Sequence, residues 1–403
     1  MQSQNEVRMK KQFTFIDLFA GAGGFAEGFY QEEYRALSHI EFDKYACDTL
    51  KERMRFYNYS ENEINTGVLH KDITDKDIID KINLSVKGSS VDVIIGGPPC
   101  QSFSSQGKAR DPNGMKCDCR NYLYENYIKI LNYYKPKFFV FENVRGILST
   151  KLNGKLIIED IFTDMKENYS ILEDKNKILL DASDFGVPQE RKRVIIIGIR
   201  KDLKTNFTIE DIYNDLASIS KKQPKTTVYD AISDLPKIKA GQGLNVLSHS
   251  PKIENDYLKL LRHPSQDTIH HHIARNHNDL DIQRYKHMSE NEWTLTELYK
   301  NKPDLIHPRK RLFNNSYVVQ KYNMPSKTII AHLYKDGNQF IHPDYTQERT
   351  FTPREAARIQ SFPDNFIFPC SKTQQYKQIG NAVPPLLARH IAKLLKKYLK
   401  EMK

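Results

Sequence analysis

The sequence predicts an open α/β fold, doubly wound around a mostly parallel sheet, and three observations carry that expectation. Short apolar runs, such as Phe13 to Phe19, Val91 to Ile95 and Phe138 to Phe141, alternate with longer helical stretches. The first run stops at a glycine-rich turn, Ala20-Gly21-Ala22-Gly23-Gly24, that opens a helix from Phe25. Reactive and acidic residues gather where the runs end, which is where open α/β sheets hold their ligands. With 403 residues the chain can bury a large core and divide into two domains.

In chain order, the glycine turn lets backbone approach a ligand and aims helix N-terminal amides at it. Alone it is compatible with several nucleotides or with a tight turn. Arg35 to Phe42 is a second strand ending in Glu41, whose carboxylate can accept from ribose hydroxyls. Val68 to Asp72 is a third, and Asp72 could accept from an adenine amino group. Each acid singly is an ordinary solvated strand end. Together with the turn they point to an adenosine-containing cofactor.

The chain then centres on Gly96 to Ser104, Gly-Gly-Pro-Pro-Cys-Gln-Ser-Phe-Ser. Pro98 and Pro99 cannot continue a ladder, so the strand must turn and present Cys100 at the sheet edge. A lone cysteine after a strand is commonly structural; a nucleophilic one needs a thiolate-favouring setting. Gln101 to Arg120 is a long polar loop suited to closing over a site, and its Cys117 and Cys119 are expected to be free thiols. Tyr122 to Tyr134 reads as a helix. The strand from Phe138 ends in Glu142-Asn143-Val144, placing an acid beside Cys100. Leu152 to Asn168 reads as a helix, with Ile171 to Leu180 and Val194 to Ile199 as strands. Arg191 and Arg193 alternate, so both can point one way and grip a base oxygen or phosphates.

These residues closely resemble the cytosine-C5 DNA methyltransferase family. Phe15 to Gly24 is similar to its first cofactor motif, Gly96 to Ser104 to its nucleophile motif and Glu142-Asn143-Val144 to its acid motif. Gln189-x-Arg191-x-Arg193, the Thr352 to Pro363 stretch and Gln378-Ile379-Gly380-Asn381-Ala382-Val383-Pro384-Pro385 follow in family order. The resemblance implies a doubly wound S-adenosylmethionine-dependent methyltransferase sheet with a smaller inserted target recognition domain. Catalytic residues would be Cys100, attacking C6 of a flipped cytosine, Glu142 at N3 and the exocyclic amine, and Arg193 at O2 with Arg191 nearby. Phe19, Gly21, Gly23, Glu41, Asp72, Ile73, Leu123, Asn381 and Val383 would line the S-adenosylmethionine pocket. The chemistry agrees with such a set: C5 is a poor nucleophile until a thiol adds at C6, and an acid at N3 stabilises the product. A thiolate cannot reach C6 within a stacked duplex, so the base must flip.

The implied boundaries are a first catalytic part over 1–235, a recognition domain with its supporting helix over 236–375, and a catalytic return over 376–403. Arg262, Arg275, Asn276, Arg284 and the Arg309 to Asn315 stretch lie in the middle interval and are side chains able to read base edges. Ten of the thirteen histidines lie between Lys201 and Gln347, but their spacing fits no common zinc site, so no metal is expected. Pro384 starts a last helix with an apolar face.

A net charge of +11 suits a polyanionic partner. Five irregularly spaced cysteines suggest no disulfide framework, and no signal peptide or membrane span is expected. The expectation is a monomeric cytoplasmic enzyme of a prokaryotic restriction-modification system, acting on double-stranded DNA, with a cognate endonuclease as genetic partner. An RNA (tRNA) methyltransferase of the same superfamily and a catalytically inactive nucleic-acid-binding protein are the alternatives.

Overall fold

The computed structural model describes residues 12–99, 123–152, 154–248, 255–262, 266–307 and 315–402. Its centre is an eight-stranded sheet in the order β3-β2-β1-β4-β5-β10-β8, with β9 also paired to β10. The strands are β1 (Thr14–Leu18), β2 (Arg35–Glu41), β3 (Val68–His70), β4 (Val93–Gly96), β5 (Phe138–Val144), β8 (Tyr169–Ile171), β9 (Leu179–Asp181) and β10 (Lys192–Arg200). A two-residue ladder, β6 (Lys151–Leu152) with β7 (Lys155–Leu156), lies between β5 and β8 in sequence.

Strands β1 to β5 are mutually parallel, and β10 runs antiparallel to β5, β8 and β9. The chain winds outward from β1 to β3 and then crosses back to β4 on the other side of β1. That reversal creates a switch point between β1 and β4 at the carboxyl edge. The glycine turn after β1 and the Gly-Gly-Pro-Pro segment after β4 both leave from it. Strands β4 and β5 are buried almost throughout, and their Val, Ile and Phe side chains are the continuous apolar run that a sheet covered on both faces requires.

The last helix, Pro385–Glu401, lies across the first, Gly24–Gln31. The crossing is close because Gly28 has no Cβ: one built there would stand 2.3 Å from the Arg389 nitrogen. The chain's end thus packs against its beginning. In the middle interval, β11 (Gly243–Ser248) pairs antiparallel with β12 (Thr268–Ile273). A small separate apolar cluster of Tyr285, Met288, Leu295, Leu298, Leu305, Tyr317 and Ile341 surrounds the helices Asp279–Asn291 and Leu295–Asn301.

Two local expectations need correction. The helix expected from Leu152 begins only at Ile157, because a chain reversal through Gly154, in the left-handed region at φ 85°, forms the β6–β7 ladder first. The single strand expected from Ile171 to Leu180 is two short ones, since Asp174 caps a turn by accepting from the Asn176 amide at 2.9 Å. Arg262, Arg275 and Arg284 are engaged within the protein. Arg262 faces Asp234 at 3.5 Å, Arg275 donates to the Tyr334 carbonyl and covers the Tyr376 ring, and Arg284 donates to Asp281 and the Leu305 carbonyl. Asn276 and Asn315 are exposed, whereas the stretch from Arg309 to Asn314 lies outside the described residues.

Candidate active site

At the glycine turn, Phe19, Gly21 and Gly23 all hold positive φ, at 56°, 54° and 86°. The turn closes through the Gly23 amide donating to the Ala20 carbonyl, and the Ala20 amide donating to Ile40 on β2. A Cβ at Gly21 would meet nothing within 4 Å, so open space lies above it. Glu41 binds the turn: one carboxylate oxygen accepts from the Gly21 amide at 2.7 Å and the other from the Asp43 amide at 2.8 Å. Burial pushes the Glu41 carboxyl pKa up, opposed by those two amides.

The neighbouring strand end follows. The Lys71 amide donates to the Glu41 carbonyl, and Asp72 accepts from the amide and hydroxyl of Thr74, with Ile73 buried beside it. Val383 and Asn381 arrive from the far end of the chain. A Cβ at Gly24 would lie 2.6 Å from the Val383 carbonyl oxygen and 2.8 Å from Ala382 Cβ, so glycine there seats the last motif against the first. Leu123 is half-buried at the start of the helix Leu123–Tyr134, whose Tyr127 hydroxyl lies 3.3 Å from the carbonyls of Ile94 on β4 and Val140 on β5.

The other half of the edge is built on β4, β5 and β10. Glu142 projects from the end of β5 and meets Arg193 of β10, with Oε1 3.0 Å from Nε. Both side chains are largely but not fully buried. The carboxylate sits directly over Gly97, where a Cβ would be 2.6 Å from Oε2. Asn143 turns to the opposite side and donates from Nδ2 to the Pro98 carbonyl at 3.2 Å. The acid strand and the turn leading to Cys100 are therefore joined by direct contact. Cys100 itself, with Cys117, Cys119 and the loop from Gln101 to Arg120, lies outside the described residues. Burial pulls the Arg193 pKa down, and Glu142 opposes the shift.

The family model for C-5 cytosine-specific DNA methylase matches residues 13–397. The chain belongs to that family. It is 36% identical to the type II methyltransferase M.DdeI of Desulfomicrobium norvegicum, over 96% of this chain and 90% of that one. It is 33% identical to the type II methyltransferase M.Bpa9945I of Bacillus paralicheniformis, over 94% and 98%. A crystal structure described as a prophage-encoded DNA modification methyltransferase (E. coli) matches with a TM-score of 0.71 and 26% identity, over 96% of this chain and 100% of that one. The protein is a cytosine-C5 DNA methyltransferase of the restriction-modification type, and its substrate is DNA.

Arg191 departs from the expected placement. It does not point with Arg193: its guanidinium is buried and donates to the carbonyls of Ile329 at 2.7 Å, Gly380 at 3.1 Å and Ala382 at 2.8 Å. It precedes β10, so strand alternation does not govern it. Sequence reasoning also passed over Gly97 and Asn143, whose roles depend on which strand ends become neighbours. Phe42 follows Glu41 directly and is 72% exposed at the end of β2.

Among the described residues no helix is long and apolar enough to cross a membrane, and no group of three or more His, Cys, Asp or Glu could hold a metal. The histidine run is occupied otherwise. His271 accepts from the Phe368 amide, and His272 bonds the Pro236 carbonyl and the Thr352 hydroxyl.

Proposed function

We propose that this enzyme transfers a methyl group from S-adenosylmethionine to C5 of a cytosine flipped out of duplex DNA, through an adduct between Cys100 and C6. The Glu142–Arg193 pair carries the proposal, standing at the sheet edge in contact with the turn that leads to Cys100. The glycine turn fits the cofactor: open space above Gly21 admits it, and each Glu41 oxygen retains a lone pair for a ribose hydroxyl. Phe19, Gly23, Asp72, Ile73, Leu123, Asn381 and Val383 would complete the pocket, with the Phe42 ring at its rim. Bound there, S-adenosylmethionine supplies an electrophilic methyl carbon on a sulfonium.

The Cys100 thiolate adds to C6, and the electron pair of the C5–C6 bond becomes available at C5 while Glu142 donates to N3. Arg193 holds Glu142 and reaches O2. C5 would take the methyl group, leaving S-adenosylhomocysteine; the C5 proton would depart to a base, N3 would return its proton to Glu142, and the re-forming C5–C6 double bond would expel the Cys100 thiolate. The interval 236–375 would select the target sequence, with 1–235 and 376–403 carrying the chemistry. Asn276 and Asn315 are its exposed amide side chains among the residues singled out above. The setting is a monomer in a prokaryotic cytoplasm, paired genetically with an endonuclease of the same specificity.

A duplex with 5-fluorocytosine at the methylated position tests the chemistry, because fluorine cannot leave as the proton does. A covalent complex should accumulate with the parent enzyme and not with Cys100→Ala. Turnover by Cys100→Ala within tenfold of the parent would sink the mechanism. Grafting 236–375 onto a relative of different specificity should carry the methylation site with it, and an active chimera that keeps the host's site would refute the recognition assignment.

A further inference from the structure

Among the described residues, four arginines have essentially no solvent exposure: Arg191, Arg349, Arg354 and Arg358. Three of them face acids: Arg349 meets Glu355 at 2.7 Å, Arg358 meets Asp364 at 2.7 Å, and Arg354 lies 3.6 Å from Asp364. Arg191 is different. Among the described residues it forms no ion pair, and its Nε has no hydrogen-bond partner. A buried guanidinium without a counter-charge is costly, so its three carbonyl contacts need a reason beyond charge.

The reason lies in which carbonyls it joins. Arg191 stands two residues before Arg193, the partner of Glu142. Gly380 and Ala382 flank Asn381 of the cofactor edge. Ile329 ends a strap, Ser326 to Ile329, in the interval proposed to read sequence. That strap runs beside 188–190. The Ser326 amide donates to the Pro188 carbonyl and the Glu190 amide to the Ser326 carbonyl, each at 2.9 Å. The Ile329 amide donates to Gln189 Oε1 at 2.6 Å, and the Thr328 hydroxyl donates to the Glu190 carbonyl at 2.5 Å. Gln189 also bonds Gln360, whose amide nitrogen reaches the carbonyls of Ile379 and Ala382. Only a planar fork with several donors spans acceptors on two such distant segments at once; a lysine ammonium is a point charge.

We infer that Arg191 is a positioning residue that couples the recognition interval to the base-side pair and the cofactor edge, so that the right sequence is rewarded in the methylation rate and not in affinity alone. This rests on the proposed recognition role of 236–375. A shift of the strap on a mismatched sequence would reach Arg193 through one fully buried side chain, and small displacements of catalytic groups are expensive.

The test uses the full-length parent, Arg191→Lys and Thr328→Val. The duplexes carry either the methylated site, identified by sequencing 5-methylcytosine, or one mismatched base pair. Single-turnover rate, duplex Kd and melting temperature are measured for each. Arg191→Lys should bind both duplexes within about threefold of the parent, while its rate on the matched duplex falls about tenfold or more. Its matched-to-mismatched rate ratio should collapse towards the ratio of affinities. Thr328→Val loses one bond of the strap and should lower the ratio in the same direction with melting unchanged. If Arg191→Lys does not fold, Thr328→Val decides alone. An unchanged rate ratio in every folded variant, even with a lower melting temperature, would make Arg191 a merely structural brace and overturn the coupling. Interval grafts that fail to move the methylation site would instead strike the recognition reading on which the coupling rests.

Discussion

Gly97→Ala isolates the geometry of the acid from its chemistry. The added Cβ would stand 2.6 Å from Glu142 Oε2, and an ordinary contact requires the two to separate by about 0.8 Å. Gly97 lacks positive φ, so alanine brings no backbone strain. The carboxylate is the far end of a rotatable side chain, so the fold should survive and Glu142 should move. Its 3.0 Å contact with Arg193 must then be remade. Misplacement by about 1 Å at a reacting centre can cost ~10²-fold. The expected outcome is a single-turnover rate lowered by roughly ten- to hundredfold. S-adenosylmethionine affinity and melting temperature should stay close to the parent's. Rapid-quench methylation with enzyme in excess over duplex reads the chemical step directly. A rate within twofold of the parent would show that the packing of Gly97 on Glu142 does not set the acid's position.

Three further outcomes follow from the same geometry. Glu142→Gln keeps shape but has no proton for N3, so single-turnover methylation should fall ~10²–10⁴-fold, and an unchanged rate would remove Glu142 from the mechanism. Gly21→Ala places a Cβ in the space above the turn at φ 54°, so calorimetric titration should show weaker S-adenosylmethionine binding, with about 1–2 kcal/mol lost from stability; unchanged affinity would place the cofactor elsewhere. Burial holds the His272 pKa down to about 4 and that of His271 to about 3. The unfolded chain therefore takes up their protons first as pH falls below 6.5, and stability declines from there towards pH 4 by at most roughly 1.4 kcal/mol per pH unit for each histidine. Melting scans across that window should slope downward with acid and flatten in His272→Gln; identical slopes would refute the assignment.

The parts of the fold written in local pattern were legible. The runs Phe13 to Phe19, Arg35 to Phe42 and Phe138 to Val144 became β1, β2 and β5 within a residue or two, since a doubly covered sheet needs continuous apolar strands. The glycine turn and Glu41 were legible because their chemistry is local and their spacing fixed. Arg191 was not. Its neighbours Ile329, Gly380 and Ala382 are 138, 189 and 191 residues away, and strand periodicity cannot state that it lies just outside β10. The internal partners of Arg262, Arg275 and Arg284 were not legible for a related reason. Composition offers a guanidinium to a base edge or to a buried carbonyl with equal ease, and only the fold decides which acceptor is near.

That choice of acceptor also bears on how the basic composition is spent. Irregular segments that pack inside the protein leave carbonyls without a ladder partner, and these need donors. Arginine supplies several from one side chain. Arg354 serves the carbonyls of His270, Pro363 and Phe366; Arg275 serves Tyr334; Arg191 serves three carbonyls on two segments. Part of the arginine content is therefore structural: Arg191 and Arg354 are buried and Arg275 is half-buried. Lysines such as Lys237, Lys239 and Lys327 lie at the surface, with side chains 75%, 61% and 69% exposed. Each has an acid partner, Asp344, Glu348 and Glu190 respectively. The buried arginines hold irregular backbone in shape, while these lysines stand at the surface.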